Sequence, residues 1–246
     1  MDKMSYVAMS GAKETLRAQT ANSHNLANAS TTGFRSDLTA FMSRAVAGPG
    51  FESRVYASTT TLGWDQSAGA LSSTGRDLDV AVNGQGWIAV QDANGNEAYT
   101  RAGDLKVDVS GQLRNGAGRA VLGDGGPISL PQGTATLVAG DGSISVLPVG
   151  QAASSVSTVA RIKLVNPDAA QLERGQDGLF RMRDGSIAPA DAGVRLASGA
   201  LESSNVNGAS ALVNMIELSR RFELQIKSIR TAEENARSAE TLLRMG

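Results

Sequence analysis

Apolar residues recur along this chain with two different periods, and the change of period divides it. Between Ser210 and Met245, the residues Met215, Phe222, Ile229, Ala236 and Leu243 are spaced by seven, and Leu218, Ile226, Ala232 and Ala239 fall three or four positions further on. That spacing draws one apolar seam along a helix. No Gly or Pro interrupts it. Arg220, Arg221, Glu223, Lys227, Arg230, Glu233, Glu234 and Arg237 sit mostly off the seam, on a face suited to water or to other chains. At 1.5 Å per residue such a helix is roughly 50 Å long. A lone helix cannot bury its own stripe, so the partner has to come from the other end of the chain, from other copies, or from both.

The same period returns from Lys3 to about Asn28, where Met9, Leu16 and Leu26 are joined on one side by Ala8, Ala12 and Ala27. This stripe is thinner, with small residues where a self-sufficient helix carries Leu, so it predicts a helix that needs pairing. Asn22, Asn25 and Asn28 lie three apart and share a face near its end. Either they are a terminus that frays into a turn, or they form a polar ladder against a neighbouring subunit. Thr31, Thr32 and Gly33 stop the helix, and Phe34 with Arg35 begins a new segment. Residues 36–76, with Gly48-Pro49-Gly50 and the Ser/Thr cluster Ser58 to Thr61, read as an extended connector. So long a connector is expected to be structured in part only against other chains.

From Leu78 the period falls to two, as Leu78, Val80 and Val82 alternate with Asp79 and Ala81. Turn dipeptides then follow: Asn83-Gly84, Asn94-Gly95, Ser110-Gly111, Asn115-Gly116, Asp124-Gly125, Gln132-Gly133 and Asp141-Gly142. Between them lie short apolar runs, Trp87 to Gln91, Ala98 to Arg101, Leu105 to Val109, Ala120 to Leu122, Ala135 to Val138 and Ser143 to Val146. After the polar stretch Gly150 to Ser157, Val159 to Val165 and Leu179 to Met182 continue an antiparallel β body. The expected fold class is therefore α+β, with long N- and C-terminal helices forming a discontinuous coiled coil and an antiparallel all-β domain inserted between them. The expected divisions are 1–35, 36–76, 77–197, 198–209 and 210–246.

Composition narrows the function. Aromatic residues are only 4% of the 246, and 28 glycines favour a turn-rich body over a deep aromatic pocket. A net charge of -1 gives no electrostatic reason to expect nucleic acid or a membrane surface as partner. The chain has no Cys, which excludes disulfides, thiolate nucleophiles and Cys-based metal sites. Residues 1–30 hold no apolar run of the kind a secretory signal needs, and no stretch approaches a membrane span, so a route out of the cytoplasm, if the chain takes one, is expected to keep the N-terminus. Candidate chemistry is thin. His24 is the single His, Asp77 and Asp79 share a strand face, Gly84 and Gly86 do not complete a phosphate loop, and no His is placed to activate a Ser.

Three stretches carry a resemblance. Asn25-Leu26-Ala27-Asn28-Ala29-Ser30-Thr31-Thr32-Gly33-Phe34-Arg35 resembles the N-terminal signature of the bacterial flagellar axial proteins, the rod, hook and hook-filament junction subunits. Thr74-Gly75-Arg76-Asp77-Leu78-Asp79-Val80-Ala81-Val82, running on to Gly86-Trp87, with Tyr99-Thr100-Arg101-Ala102-Gly103, looks like the central domain of the rod and hook members. Leu201-Glu202-Ser203-Ser204-Asn205-Val206 is similar to the connector before their C-terminal helix. The resemblance implies a structural subunit with no cofactor. It would be exported through the flagellar type III apparatus without a cleaved signal and assembled in the periplasm into the proximal rod, against copies of itself and other rod subunits. The expected assembly interface is Met9, Leu16, Asn22, Asn25, Leu26, Asn28, Gly33 and Phe34 with Met215, Leu218, Phe222, Ile226, Ile229, Ala236 and Leu243. Two other readings compete: a secreted β-rich binding module, which needs an exposed aromatic cluster, and a β-rich glycan hydrolase, which needs two convergent carboxylates.

Overall fold

The structure, a computed structural model, describes residues 4–45, 55–131, 134–148 and 157–245. The chain is α+β and divides into two compact units. One comprises Met1–Ala29, Ser36–Asp65 and Val206–Gly246, and the other Ser30–Arg35 and Gln66–Asn205.

In the first unit, helix α1 spans Met4–Ala27 and helix α2 spans Gly208–Met245. Asn207 caps α2, its side-chain oxygen accepting from the Ser210 N–H at 3.0 Å. Asn28 closes α1, its side-chain amide donating to the His24 carbonyl at 2.9 Å beside the Asn28 backbone N–H at 3.2 Å. The helices run antiparallel: Gly11 faces Gln225, the Asn22 amide donates to the Ala211 carbonyl at 2.7 Å, and Ala29 approaches Gly208. From α2, Ala211, Leu218 and Ala232 are buried, with Met215, Phe222, Ile226 and Ile229 half-buried beside them. The seven-residue seam is therefore the face α2 packs with.

On α1 the buried stripe differs from the expected one. Ala8, Ala12, Thr15 and Ala18 are buried, whereas Met9 and Leu16 are 57% and 47% exposed. Small side chains let the two backbones approach closely enough to enclose the larger residues of α2. At Gly11 an added Cβ would stand 2.9 Å from the Gln225 amide. The opposite side of α1 meets a second neighbour, with Ser10 Oγ donating to the Ala57 carbonyl at 3.0 Å.

That neighbour is a hairpin within residues 36–76, the stretch read as an extended connector. Strands Asp37–Ala45 and Val55–Trp64 pair antiparallel, with Phe41 opposite Thr59 and a register irregularity between Leu38 and Thr39. The run of β-branched Thr59 to Thr61 supplies the strand preference that the Ser/Thr count alone concealed. Gly48-Pro49-Gly50 lies outside the described residues.

The second unit is an antiparallel β body. Its largest sheet orders the strands Leu164–Val165, Trp87–Gln91, Glu97–Thr100, Phe180–Met182 and Leu172–Arg174. A second sheet joins Thr134–Val138, Ser143–Pro148 and Ser157–Arg161. Val80–Asn83 pairs with Arg195–Ser198, and Leu71–Ser73 with Ala200–Glu202. Val80, Ile88, Val90, Leu105, Leu113, Val121 and Ile144 form the fully buried centre of the core. Glycines take positive φ at Gly84, Gly95, Gly111 and Gly142, as their dipeptides predict. In the next two turns it is Gly118 and Gly126 that do so rather than Gly116 and Gly125. Gln132-Gly133 and most of Gly150 to Ser157 lie outside the described residues.

Candidate assembly surface

The surface of the helical unit is the least self-sufficient part of the chain. Of the 16 large apolar residues exposed among the described residues, 11 belong to it, although it holds the shorter share of the chain. They form distinct ridges. Tyr6, Met9 and Leu16 lie on the side of α1 that neither α2 nor the hairpin covers. Leu212, Val213 and Ile216 lie on the side of α2 turned away from its buried seam, Ile216 being roughly 160° around from Leu218 at about 100° per residue. The residues read from sequence thus fall into two groups. Leu218 is buried, Met215, Phe222, Ile226, Ile229 and Leu26 are half-buried within the chain, and Met9, Leu16, Ala236 and Leu243 are exposed.

The asparagines are occupied inside the chain. Asn25 clamps the hairpin entrance, accepting from the Asp37 N–H at 2.8 Å and donating to the Asp37 carbonyl at 3.0 Å. Asn22 bridges to α2. Both line a groove of about 330 Å³ with Ala18, Asp37, Phe41, Leu218 and Arg221. His24, the single His, is half exposed and has a carboxylate beside it, with Nδ1 2.8 Å from Asp37 Oδ2.

Gly33 and Phe34 serve the β unit. Gly33 has φ +67°, and a Cβ there would fall 2.3 Å from the Arg101 carbonyl carbon, so the position requires glycine twice over. Its N–H donates to the Glu202 carbonyl at 2.8 Å, and Phe34 lies under the Arg174 guanidinium at 5.1 Å. Next to it sits a cluster that sequence reasoning did not single out. Arg35 Nη1 and Arg101 Nη1 lie 2.5 Å and 3.0 Å from the two carboxylate oxygens of Glu202, and all three residues are nearly or fully buried. Gly69 N–H donates to the same carboxylate at 2.9 Å, and Asn205 Nδ2 to the Ser67 carbonyl at 3.1 Å. Arg101 also donates to the Gly84 carbonyl at 2.8 Å and stands 5.4 Å over Trp87. Burial pulls the Arg101 guanidinium below its usual range and Arg35 adds to this, while the Glu202 carboxylate opposes it. Within the β unit, Glu202 thus ties Gly33 and Arg35 to Gly69 and Arg101. Each charged member lies in a different one of the three resembling stretches, which is the signal that could have found the cluster.

Little here is arranged for chemistry. Asp79 is buried and engaged, accepting from Thr74 Oγ1 at 2.7 Å with Arg76 Nη1 at 3.2 Å, while Asp77 is exposed. Among the described residues, no three His, Asp or Glu side chains stand together as a metal site, and no helix is long and apolar enough to cross a membrane.

The chain matches three family models in order: flagella basal body rod protein over residues 6–35, flagellar hook protein FlgE/F/G D1 domain over 81–146, and flagellar basal body rod FlgEFG protein C-terminal over 197–242. It is 43% identical to the flagellar basal-body rod protein FlgF of Escherichia coli K12 and 42% identical to that of Salmonella typhimurium LT2, with all of both chains covered in each case. A flagellar basal-body rod protein FlgG, from Buchnera aphidicola of Acyrthosiphon pisum, is 33% identical over 90% of this chain and 94% of its own. With full-length identity of this degree, the chain belongs to the flagellar basal-body rod protein FlgF family.

Proposed function

We propose that this chain is a structural subunit of the bacterial flagellar basal-body rod, built to be held by its neighbours rather than to catalyse a reaction. The observation that carries the reading is the distribution of exposed apolar side chains, 11 of 16 on the helical unit, in a chain whose relatives carry the rod name. A monomer seldom leaves so many large apolar residues open on one small unit. In the rod, the helices of segments 1–35 and 210–246 line an inner tube as a discontinuous coiled coil with the hairpin of 37–64 beside α1, and the β body 77–197 faces outward, joined to them through 66–76 and 198–209. The interface comprises Met9, Leu16 and the Met215-to-Leu243 seam where it extends beyond α1. Export runs through the flagellar type III apparatus, assembly takes place in the periplasm among proximal and distal rod subunits, and the shaft transmits torque without a cofactor. The distal rod role of FlgG is the weaker alternative, as the lower identity reflects.

The test is replacement in a cell. A strain lacking its FlgF gene regains swimming when supplied with this chain, and purified basal bodies then contain it. Failure of both, with the protein stably produced, refutes the rod role.

A further inference from the structure

Two of the short strand pairs in the β unit draw a strand from the same stretch of chain. Arg195–Ser198 pairs with Val80–Asn83, and Ala200–Glu202 pairs with Leu71–Ser73. The stretch then continues to bind early segments: Ser203 N–H donates to the Ala70 carbonyl at 2.9 Å, Asn205 N–H to the Phe34 carbonyl at 3.3 Å, and Glu202 holds Arg35, Arg101 and the Gly69 N–H. Residues 195–205 are thus a strap to which 33–35, 67–73 and 80–83 are all tied. Leu71–Ser73 is exposed along its length and has no other strand partner among the described residues.

What holds the strap differs from what holds the core. Ile88, Val90, Leu113 and Val121 are sealed by apolar packing. In the strap Leu196 is the one large apolar side chain that is buried, and the rest of its hold is backbone hydrogen bonding and the ion cluster. A buried ion cluster adds little net stability, because its attraction is offset by lost hydration, and that hydration returns when all members reach water together. Two guanidiniums here share one carboxylate, and both Nε atoms are buried without an acceptor, so this cluster is also under-paired. Releasing the strap rehydrates three charges at once, whereas opening the core exposes apolar surface with no such return.

We infer that residues 195–205 are a latch, which releases 33–35, 67–73 and 80–83 in one step while the sheets built on Trp87–Gln91 and Ser143–Pro148 stay closed. The latch also closes late. Gly69 and Glu202 are 133 positions apart, and contacts of such separation wait on the loop between them. Resting on the rod reading, the latch serves export, since a subunit that has to be threaded through the export apparatus starts from an opened strap rather than from a sealed core.

Hydrogen exchange on the purified full chain, read by mass spectrometry, tests the latch without needing a rod, so its outcome is separate from that of the complementation. Peptides covering 67–73, 80–83 and 195–205 are expected to exchange together, at least about 10-fold faster than those covering 87–91 and 143–148. Ile128→Val, in the core beside Leu113 and Val121, is expected to speed exchange about 2- to 10-fold in the core peptides alone, since it favours full unfolding without touching the strap. Ser73→Cys with Ala200→Cys, directly opposite each other in a chain with no native cysteine, closes a disulfide across the latch. Its oxidation is expected to slow the latch peptides to the core rate, and its reduction to restore the fast exchange. Latch peptides that already exchange at the core rate, that speed up with Ile128→Val as much as the core does, or that ignore the disulfide overturn the latch, as does fast exchange of 195–205 with 67–73 still protected.

Discussion

Replacing Glu202 by Gln tests the buried ion cluster directly. The carboxylate lies between two guanidiniums at 2.5 Å and 3.0 Å, and all three side chains are at most 6% exposed. The Nε atoms of Arg35 and Arg101 are buried without an acceptor, so the cluster has no spare partner to absorb the loss. Glutamine keeps the shape but removes the charge, and its NH2 must face one of the two arginines. Breaking a buried pair while its partner stays charged costs about 3–5 kcal/mol. The β unit spans about 150 residues, for which 1 kcal/mol moves Tm by about 2–4 °C. The expected fall in the β-unit melting temperature is roughly 6–20 °C, read by calorimetry on the full chain at neutral pH. As a comparison, Glu97→Gln breaks the pair with Lys163, whose ends are 11% and 14% exposed, and is expected to cost less. A shift below about 2 °C for Glu202→Gln would show that the two arginines do not depend on this carboxylate.

Further outcomes follow from the same geometry. Gly33→Ala is expected to cost more than about 3 kcal/mol, from the positive φ together with backbone overlap at Arg101, and a calorimetric loss under 1 °C would contradict it. Burial pushes the Tyr99 phenol up to about 12, so in a 295 nm titration its ionisation is expected only in strongly alkaline solution, and the Tyr99→Phe variant is expected to lack that last step. Asp108 and Asp141 are held below the usual carboxylate range chiefly by hydrogen bonds from Ser110 and Ser143, and Asp177 by that from Arg181. Because the unfolded chain binds those protons first, their contribution is complete above about pH 4 and declines as pH falls further, so the β-unit Tm drops on acidification; a rise would refute the sign. Phe222→Asp sets a charge in the α1–α2 seam and is expected to abolish swimming while the chain is still exported, whereas normal swimming would mean that the seam tolerates it.

The sequence by itself determined the periodic elements. The unbroken seven-residue spacing of Met215, Phe222 and Ile229 required a long helix, and Asn94-Gly95 and Asp141-Gly142 fixed hairpin turns, because those signals are local and depend on backbone preference, whereas the strands on either side of Asn83-Gly84 pair elsewhere. The strands Trp87–Gln91 and Ser143–Pro148 sit where short apolar runs lie between turn dipeptides. What needed tertiary structure was every choice between equivalent faces and distant partners. Small Ala8 and Ala12, rather than Met9 and Leu16, face α2, because a helix held between two neighbours is oriented by how closely backbones can approach, which hydrophobicity along one chain does not encode. Likewise Asn22 and Asn25 found carbonyl and amide partners on α2 and the hairpin. Arg35, Arg101 and Glu202, far apart in sequence, became one buried charge cluster only when the β unit brought them together, since Coulomb attraction acts through space and leaves no periodic trace along the chain.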